Sequence, residues 1–241
     1  MNMPLSKPWI TEGDIKAVEE VLRTPNLSLG PKLPEFEERL AEIANAKYAV
    51  AVNSGASALH LIIRSLGIKD GDEVITTPFS FIASANCILF ERAKPVFVDI
   101  RKDTYNIDSR LIEEKITEKT KAILGVDVFG QLAEWDKIEG IANKYSFHVI
   151  EDSCEAIGAE YKGKPAGSFG MAGVFAFYPN KAATTGEGGV IVTNDENIYK
   201  LSRRFSFSPF SAKIFSSLFI LLASSPNYTR GEEVFLFSVT F

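Results

Sequence analysis

The segment GVFAFYPNKAATTGEGGVIVTND, residues 173–195, contains two apolar β-type runs, 173–178 and 188–195. Only residues 179–187 join them, which is too short for a helical crossover, so the second run is predicted to lie antiparallel to the first. This connection places one lysine, Lys181, beside a Pro-Asn corner and ahead of a glycine-rich turn. A solvated surface lysine needs no such setting, but surface lysines are common, and the rest of the sequence has to decide between the two interpretations.

Five more β-type runs precede this segment, at 48–54, 73–78, 94–100, 121–129 and 148–153. Helical patterns separate most of them, such as ASALHLIIRSLG after the first run and LAEWDKIEGIANKYS after the fourth. Strands that alternate with helices form right-handed crossovers and a mainly parallel sheet. The sequence therefore predicts an α/β fold with a mainly parallel, seven-stranded sheet covered by helices.

Composition narrows the class of protein. The chain has 241 residues, of which 46% are hydrophobic and 24% charged, as in an ordinary globular protein. A net charge of -5 gives no reason to expect nucleic acid or an acidic membrane as a partner. Cys87 and Cys154 suit a reduced, cytoplasmic protein, and the N-terminus lacks the pattern of a signal peptide. With His60 and His148 as the two histidines and no Cys/His cluster, no metal site is predicted.

The composition changes after Phe205. From there the chain reads SFSPFSAKIFSSLFILLASSPNYTRGEEVFLFSVTF, rich in Phe and Ser and poor in charge. Its longest apolar run, from Ile214 to Ala223, is too short to span a bilayer, so no membrane partner is expected. We predict a domain over residues 1–205 and an atypical, altered or truncated tail over 206–241.

Ligands of such sheets bind beyond the carboxyl ends of the strands. The predicted strand ends carry residues 54–57, 78–81, 127–130, 151–153 and 178–181. Together these segments bring a helix N-terminus, an aromatic ring, carboxylates and a lysine to one edge. That composition is typical of a binding site rather than of a core.

Each of these residues also has a structural interpretation. Ser57 suits a helix cap as well as a phosphate contact, Phe81 suits a core, and Asp152 could cap a strand end. Neither GxGxxG after the first strand nor GxxxxGK[ST] is present, which removes the usual support for dinucleotide and P-loop sites. The combination, however, contains the parts that hold pyridoxal phosphate (PLP): a phosphate-ready helix, a flat ring, an acid and a lysine.

These residues lie in an order that resembles the DegT/StrS family of PLP-dependent sugar aminotransferases. The similar stretches run from Pro4 to Arg204 and include SGASALHL, PFSFIASANCI, GVDVFGQ, VIEDSCEAIGAEYKG and FYPNK…GEGGVIVTND. The resemblance implies the large domain of the aspartate aminotransferase-like fold, fold type I. It also implies that much of the small domain, which helps to bind substrate in that family, is absent from this sequence.

The resemblance further implies a role for each site residue. Lys181 would be the Schiff-base lysine, Asp152 would pair with the pyridine nitrogen, and Phe81 would lie against the ring face. The phosphate would be held at the helix start by Gly55, Ala56 and Ser57.

Two positions depart from the family pattern. Glu155 stands where the family usually has a Gln that contacts the ring hydroxyl, and a Glu there must be protonated or paired. Ala176 stands where many members have a phosphate-binding Ser, which Thr184 or Thr185 would have to replace.

The implied reaction moves an amino group from glutamate or glutamine, through PLP, to a keto sugar linked to a nucleotide. A branch of the family replaces the lysine by His and performs dehydration, so Lys181 favours transamination. The alternatives are a PLP-dependent lyase or dehydrase, and a non-catalytic, truncated remnant. The partners expected are small-molecule substrates and, for the family, a second copy in a homodimer, which the altered C-terminus puts in doubt for this chain.

Overall fold

The computed structural model describes residues 7–206, which contain six α-helices and nine strands. The helices are α1 (Glu12–Leu22), α2 (Lys32–Ile43), α3 (Gly55–Ser65), α4 (Ala83–Phe90), α5 (Trp135–Tyr145) and α6 (Glu196–Ser206). The strands are β1 (Tyr48–Val52), β2 (Glu73–Thr76), β3 (Lys94–Phe97), β4 (Thr120–Val126), β5 (His148–Asp152), β6 (Glu160–Tyr161), β7 (Lys164–Pro165), β8 (Ala172–Ala176) and β9 (Gly189–Thr193).

Seven of the strands form one sheet in the order β1-β9-β8-β5-β4-β2-β3. Strands β8, β5, β4, β2 and β3 pair in parallel, whereas β9 runs antiparallel to both β1 and β8. Each predicted β-type run supplies one of these strands. The predicted seven-stranded, mainly parallel sheet and its antiparallel last strand are therefore confirmed.

A second, two-stranded sheet of β6 and β7 was not predicted. Its turn is formed by Lys162 and Gly163, both with positive φ angles of 50° and 76°. Such angles suit the tight turns that join antiparallel strands. Strands of two residues are too short to show an alternating pattern in the sequence, which is why the hairpin was missed.

Two buried apolar clusters cover the two faces of the sheet. One takes side chains from α2 and α5, and the other takes side chains from α3, α4 and α6 (Phe36, Leu40, Trp135 and Ile138; Leu59, Ile62, Ile88 and Ile198). Burying each large side chain of this kind stabilises the fold by about 1.5–3 kcal/mol. The helices on both faces account for strands that are apolar along most of their length, as parallel strands between two layers must be.

Close packing holds the helices against the sheet. A Cβ atom at Gly125 in β4 would lie 2.6 Å from the Trp135 ring of α5, so only glycine fits there. On the edge strand β1, the Ala51 N–H donates to Glu37 Oε1 of α2 at 2.9 Å, and Arg203 of α6 pairs with the same carboxylate. The Ala51 N–H of this edge strand is thereby bound by a side chain and is not free to pair with another strand.

None of the helices between residues 7 and 206 combines the length and apolar character needed to cross a membrane. In the same part of the chain, no group of three or more His, Cys, Asp or Glu side chains is arranged to hold a metal ion. Residues 207–241 of the predicted tail, including the run from Ile214 to Ala223, lie outside the described residues.

Candidate active site

A cavity of about 720 Å³ opens at the carboxyl ends of the parallel strands. Its walls come from the start of α3, the loop before α4, the ends of β4, β5 and β8, and the turn between β8 and β9. The predicted site residues that line it are Gly55, Ala56, Phe81, Asp152, Glu155 and Lys181. The structure therefore brings together all of the predicted site residues except Ser57.

Lys181 lies in the turn between β8 and β9, where its N–H donates to the Tyr178 carbonyl at 2.9 Å. This turn directs the side chain into the cavity, and only 16% of the side chain is exposed. The Nζ atom donates to Glu155 Oε1 at 3.0 Å. Lys181 is thus a largely enclosed, paired lysine and not a solvated surface residue.

Glu155 accepts two hydrogen bonds, one on each oxygen. Oε1 accepts from Lys181, and Oε2 accepts from the Phe129 N–H at 3.0 Å. Partial burial raises the pKa of Glu155, but the two hydrogen bonds and the charge of Lys181 outweigh burial, so the pKa lies below its ordinary value. A Glu at this position is therefore accommodated as an ionised, paired carboxylate.

Asp152 ends β5 and is 5% exposed. Its Oδ2 atom accepts from the Ser84 hydroxyl at 2.8 Å, and its Oδ1 atom accepts from the Cys154 N–H at 3.3 Å. Ser84 is itself hydrogen-bonded to Ser80, with 2.7 Å between the two hydroxyl oxygens. A buried carboxylate needs such donors. The Ser84 hydroxyl connects the Asp152 carboxylate to the Ser80 hydroxyl at the cavity wall.

The N-terminus of α3 forms the part of the wall suited to an anion. Ser54 caps the helix by accepting from the Ser57 N–H at 3.2 Å, and the hydroxyls of Ser54 and Ser57 lie 3.0 Å apart. Gly55 allows the helix to approach β8, since a Cβ atom there would lie 2.8 Å from the Cβ of Ala176. Backbone N–H groups and the helix dipole at such a terminus favour phosphate. Ser57 lies in the first turn of α3, where its N–H and hydroxyl contact the Ser54 cap, and it does not line the cavity.

Phe81 projects from the loop before α4 and is 76% exposed, so its ring is not part of the core. Further aromatic residues lie at the cavity mouth: Phe79 and Phe129, in the predicted strand-end segments 78–81 and 127–130, and Tyr105, which was not predicted. Phe79, Tyr105 and Phe129 contact one another with ring centroids 5.6–6.3 Å apart, and Phe79 and Phe129 line the cavity. Tyr105 and Phe129 both have positive φ angles, of 61° and 54°, which are uncommon for bulky residues.

The structure shows where the neighbouring residues lie. Cys154 lies at the cavity wall next to Asp152. Thr184 and Thr185 do not line the cavity, because their hydroxyls donate to the carbonyls of Phe177 and Glu187 and hold the turn. Ala176 does line the cavity. The hydroxyl missing at Ala176 is therefore not replaced by either threonine.

This set of side chains fits PLP, because an amine, a carboxylate, an aromatic ring and a helix N-terminus share one cavity. Lys181 would hold the cofactor, Asp152 would face the ring nitrogen, and the start of α3 would bind the phosphate. Tyr178 and Asn180, in the predicted strand-end segment 178–181, also line the cavity, as do Glu187 and Gly188, which were not predicted. Their contribution depends on how the turn between β8 and β9 folds back, which the residue pattern does not reveal.

Known proteins were found to resemble the chain over most of its length. It is 47% identical to the protein MJ1066 of Methanocaldococcus jannaschii over 196 residues, which are 81% of this chain and 51% of that protein. It is 41% identical over 190 residues to the UDP-2-acetamido-2-deoxy-3-oxo-D-glucuronate aminotransferase of Pseudomonas aeruginosa, covering 78% of this chain and 53% of the relative. The chain thus spans about half the length of these relatives.

Solved structures confirm the fold. The putative sugar aminotransferase Spr1654 of Streptococcus pneumoniae, in its PMP form, superposes with a TM-score of 0.81 at 34% identity, over 86% of this chain and 57% of that chain. The same protein has been determined in its PLP form, which agrees with the predicted cofactor. Residues 8–219 match the family described as the DegT/DnrJ/EryC1/StrS aminotransferase family, so the match reaches into the predicted tail. The resemblance is confirmed, and the chain belongs to the DegT/DnrJ/EryC1/StrS aminotransferase family.

Proposed function

We propose that this protein uses PLP to move an amino group from glutamate or glutamine to the keto group of a nucleotide-linked sugar. The observation that carries the proposal is the convergence of Lys181, Asp152 and the α3 N-terminus on one cavity. Family membership supports the reaction class, and the Pseudomonas aeruginosa relative is named for a UDP-linked 3-oxo sugar. Since the chain spans about half of its relatives, the proposal concerns the activity of the whole protein.

When bound, PLP supplies an aldehyde that condenses with amines and a protonated ring that withdraws electrons. Lys181 would hold the cofactor through its Nζ atom. The same Nζ atom, as a free amine, would take the proton from the substrate carbon that bears the amino group and later return it. Its enclosed position beside Glu155 keeps the Nζ atom at the cavity wall rather than in bulk water.

The other residues would bind and orient. Asp152 would keep a proton on the ring nitrogen, since a carboxylate beside it favours the charged form, and Ser84 holds that carboxylate in place. The start of α3 would attract the phosphate, and Phe81 would cover one face of the ring. This division of tasks assigns proton transfer to Lys181 and electrostatic support to Asp152.

Partners beyond the small molecules stay predictions. The family's homodimer would be checked by light scattering of the purified protein. The cytoplasmic location inferred from Cys87 and Cys154, and the reduced activity expected from the altered C-terminus, likewise stay predictions.

The proposal is tested by adding PLP to the purified protein, reducing with borohydride and locating the adduct by mass spectrometry. We expect a visible absorbance band and an adduct on Lys181, both lost in Lys181→Ala and both kept in Lys102→Ala, which removes an exposed lysine elsewhere. Amino transfer is then measured with glutamate and a keto sugar nucleotide. An adduct on Lys181 with product formed from the sugar alone would instead indicate a lyase or dehydrase.

A further inference from the structure

Behind Asp152 lies a buried group of two carboxyls and one hydroxyl that the proposed reaction does not use. Asp127, Glu151 and Ser153 are all fully buried. The Ser153 hydroxyl oxygen lies 2.5 Å from Asp127 Oδ2 and 2.6 Å from Glu151 Oε1. A hydroxyl has one hydrogen and can donate to only one of these oxygens. The other short contact therefore requires a proton on a carboxyl group.

The remaining hydrogen bonds indicate which carboxyl carries that proton. Glu151 accepts backbone N–H groups on both oxygens, from Gly167 at 2.7 Å and from Phe169 at 2.8 Å. Both of its oxygens thus act as acceptors, as in a carboxylate.

Asp127 differs, because only one of its oxygens faces N–H donors. Its Oδ1 atom accepts from the Ala133 N–H and from the Trp135 Nε1–H, each at 2.9 Å. Its Oδ2 atom contacts the Ser153 hydroxyl, and among the described residues no N–H group donates to it. We infer that Asp127 carries a proton on Oδ2 at neutral pH and donates it to Ser153, which donates in turn to the Glu151 carboxylate.

The electrostatic environment agrees with a shared proton. Burial is the largest cause that raises the pKa of both Asp127 and Glu151 above the ordinary carboxyl value. Two neighbouring carboxyls titrate as a pair, so the pair keeps one proton at neutral pH, and the N–H donors on both Glu151 oxygens place that proton on Asp127.

The charged side chains on the packed elements do not neutralise this pair. On β5 they are His148 and Asp152, which accepts from the Ser84 hydroxyl. On α5, Lys137 and Lys144 pair with Glu134 and Glu113, Asp136 pairs with Lys162 of the β6–β7 turn, and Glu139 accepts from the Gly170 N–H. On β7, Lys164 lies over the Phe169 ring. Within residues 7–206, no Lys, Arg or His forms an ion pair with Asp127 or Glu151. A bound proton is thus the available means of removing one negative charge.

The group that holds this proton also holds the loops at the carboxyl ends of β4 and β5. Asp127 donates its N–H to the Asp152 carbonyl at 3.0 Å, and its carboxyl holds the loop that leads into α5. Two residues later, Phe129 donates its N–H to Glu155. Asp127, Ser153 and Glu151 are therefore positioning residues that join the ends of β4 and β5. Loss of the proton would place two buried charges side by side and push these strand ends apart.

The sign of the pH dependence follows from the proton count. At neutral pH the folded state holds one proton that the unfolded state, with ordinary carboxyl pKa values, has released. Stability therefore falls as pH rises, until the folded state has lost the same proton. Over that interval one linked proton makes the unfolding equilibrium constant rise by about tenfold for each pH unit.

The experiment compares unfolding by denaturant from pH 7 to pH 9 in the native sequence, in Asp127→Asn and in Glu151→Gln. The Asp127→Asn amide can accept from Ala133 and Trp135 and donate to Ser153, so this variant should fold and lose the linked proton. In Glu151→Gln, the amide NH₂ group would face the N–H of either Gly167 or Phe169. Two donors would then meet without an acceptor, so this variant should be destabilised at every pH. Asp70→Asn, at an exposed site, controls for the change in charge.

Infrared spectroscopy provides a measurement that does not depend on stability. At pH 7 the native protein should show the C=O band of a protonated carboxyl, and Asp127→Asn should lack it. Equal pH slopes in the native protein and Asp127→Asn, absence of the carboxyl band, or tolerance of Glu151→Gln with damage by Asp127→Asn would each overturn the inference. None of these measurements uses PLP, so the result is independent of the proposed function.

Discussion

Lys181 Nζ and Glu155 Oε1 lie 3.0 Å apart and form an ion pair inside the cavity. Because the Phe129 N–H binds the other oxygen of the same carboxylate, Glu155 joins the turn after β8 to the loop after β4. The lysine is therefore held by a residue from a different strand end, and its position depends on both loops. This pairing explains how the cavity accommodates Glu155 in its ionised form.

Replacing Glu155 by Gln should weaken this connection without unfolding the protein. The lowered pKa of Glu155 means that the pair contributes stability above the ordinary carboxyl pKa and loses it as pH falls through the lower, folded value. Since 39% of the Glu155 side chain is exposed, we expect a loss of less than about 1 kcal/mol at pH 7. Denaturant unfolding at pH 7 and pH 4 measures it, with Glu114→Gln, an exposed carboxylate outside the cavity, as the control. A loss that is equal at both pH values would contradict the ion pair.

Asp152→Asn should separate cofactor binding from amino transfer. The amide keeps the shape of the carboxylate and can still bond to Ser84, but it lacks the negative charge that favours a proton on the ring nitrogen. We expect the borohydride-fixed adduct on Lys181 to persist while formation of 2-oxoglutarate from glutamate falls by several orders of magnitude. Near-normal rates in this variant would remove Asp152 from its proposed role.

Ser84→Ala should remove a hydrogen bond that holds the Asp152 carboxylate in place. Ser84 is buried and donates to Asp152 Oδ2, so its loss leaves a buried carboxylate short of one hydrogen bond. A hydrogen bond to a charged group contributes about 1.5–3 kcal/mol, and we expect a loss of stability in this range together with weaker PLP binding. Ser80→Ala removes the outer hydroxyl, which water can replace at the cavity wall, and should cost less than Ser84→Ala. Denaturant unfolding and PLP titration of both variants test this order, and equal effects would contradict it.

Most of the fold could be predicted from the sequence because its signals are local. The seven β-type runs are short and apolar, and the short connection around Lys181 requires an antiparallel return. Once the sheet is parallel, the rule that ligands bind at the carboxyl edge brings Gly55, Asp152 and Lys181 together without further information.

The contacts within the site could not be predicted in the same way. The bond from Ser84 to Asp152 joins residues far apart in sequence, and it depends on how the loop before α4 turns toward β5. The exposure of Phe129 depends on a positive φ angle that its residue type disfavours. The residue type and sequence position of Ser57 suit a phosphate contact, but its hydroxyl lies 3.0 Å from the Ser54 hydroxyl at the helix start.

Two glycines provide a matched test of how β9 supports the α3 N-terminus. A Cβ atom at Gly189, the first residue of β9, would lie 2.4 Å from the Ser54 carbonyl carbon and 2.6 Å from the Gly55 nitrogen. These are backbone atoms and cannot move aside as the end of a flexible side chain could. A Cβ atom at Gly140, within α5, would have no atom within 4 Å apart from its own helix backbone and chain neighbours.

We therefore expect opposite effects from the same substitution. Gly140→Ala should stabilise the protein by about 0.5–1 kcal/mol, because alanine favours a helix interior. Gly189→Ala should destabilise it by about 1–3 kcal/mol, as overpacking of a tight contact does. It should also weaken PLP binding, since displacement of Ser54 and Gly55 moves the N–H groups that would face the phosphate. Denaturant unfolding and PLP titration measure both effects, and normal PLP affinity in Gly189→Ala would show that the cofactor does not depend on the start of α3.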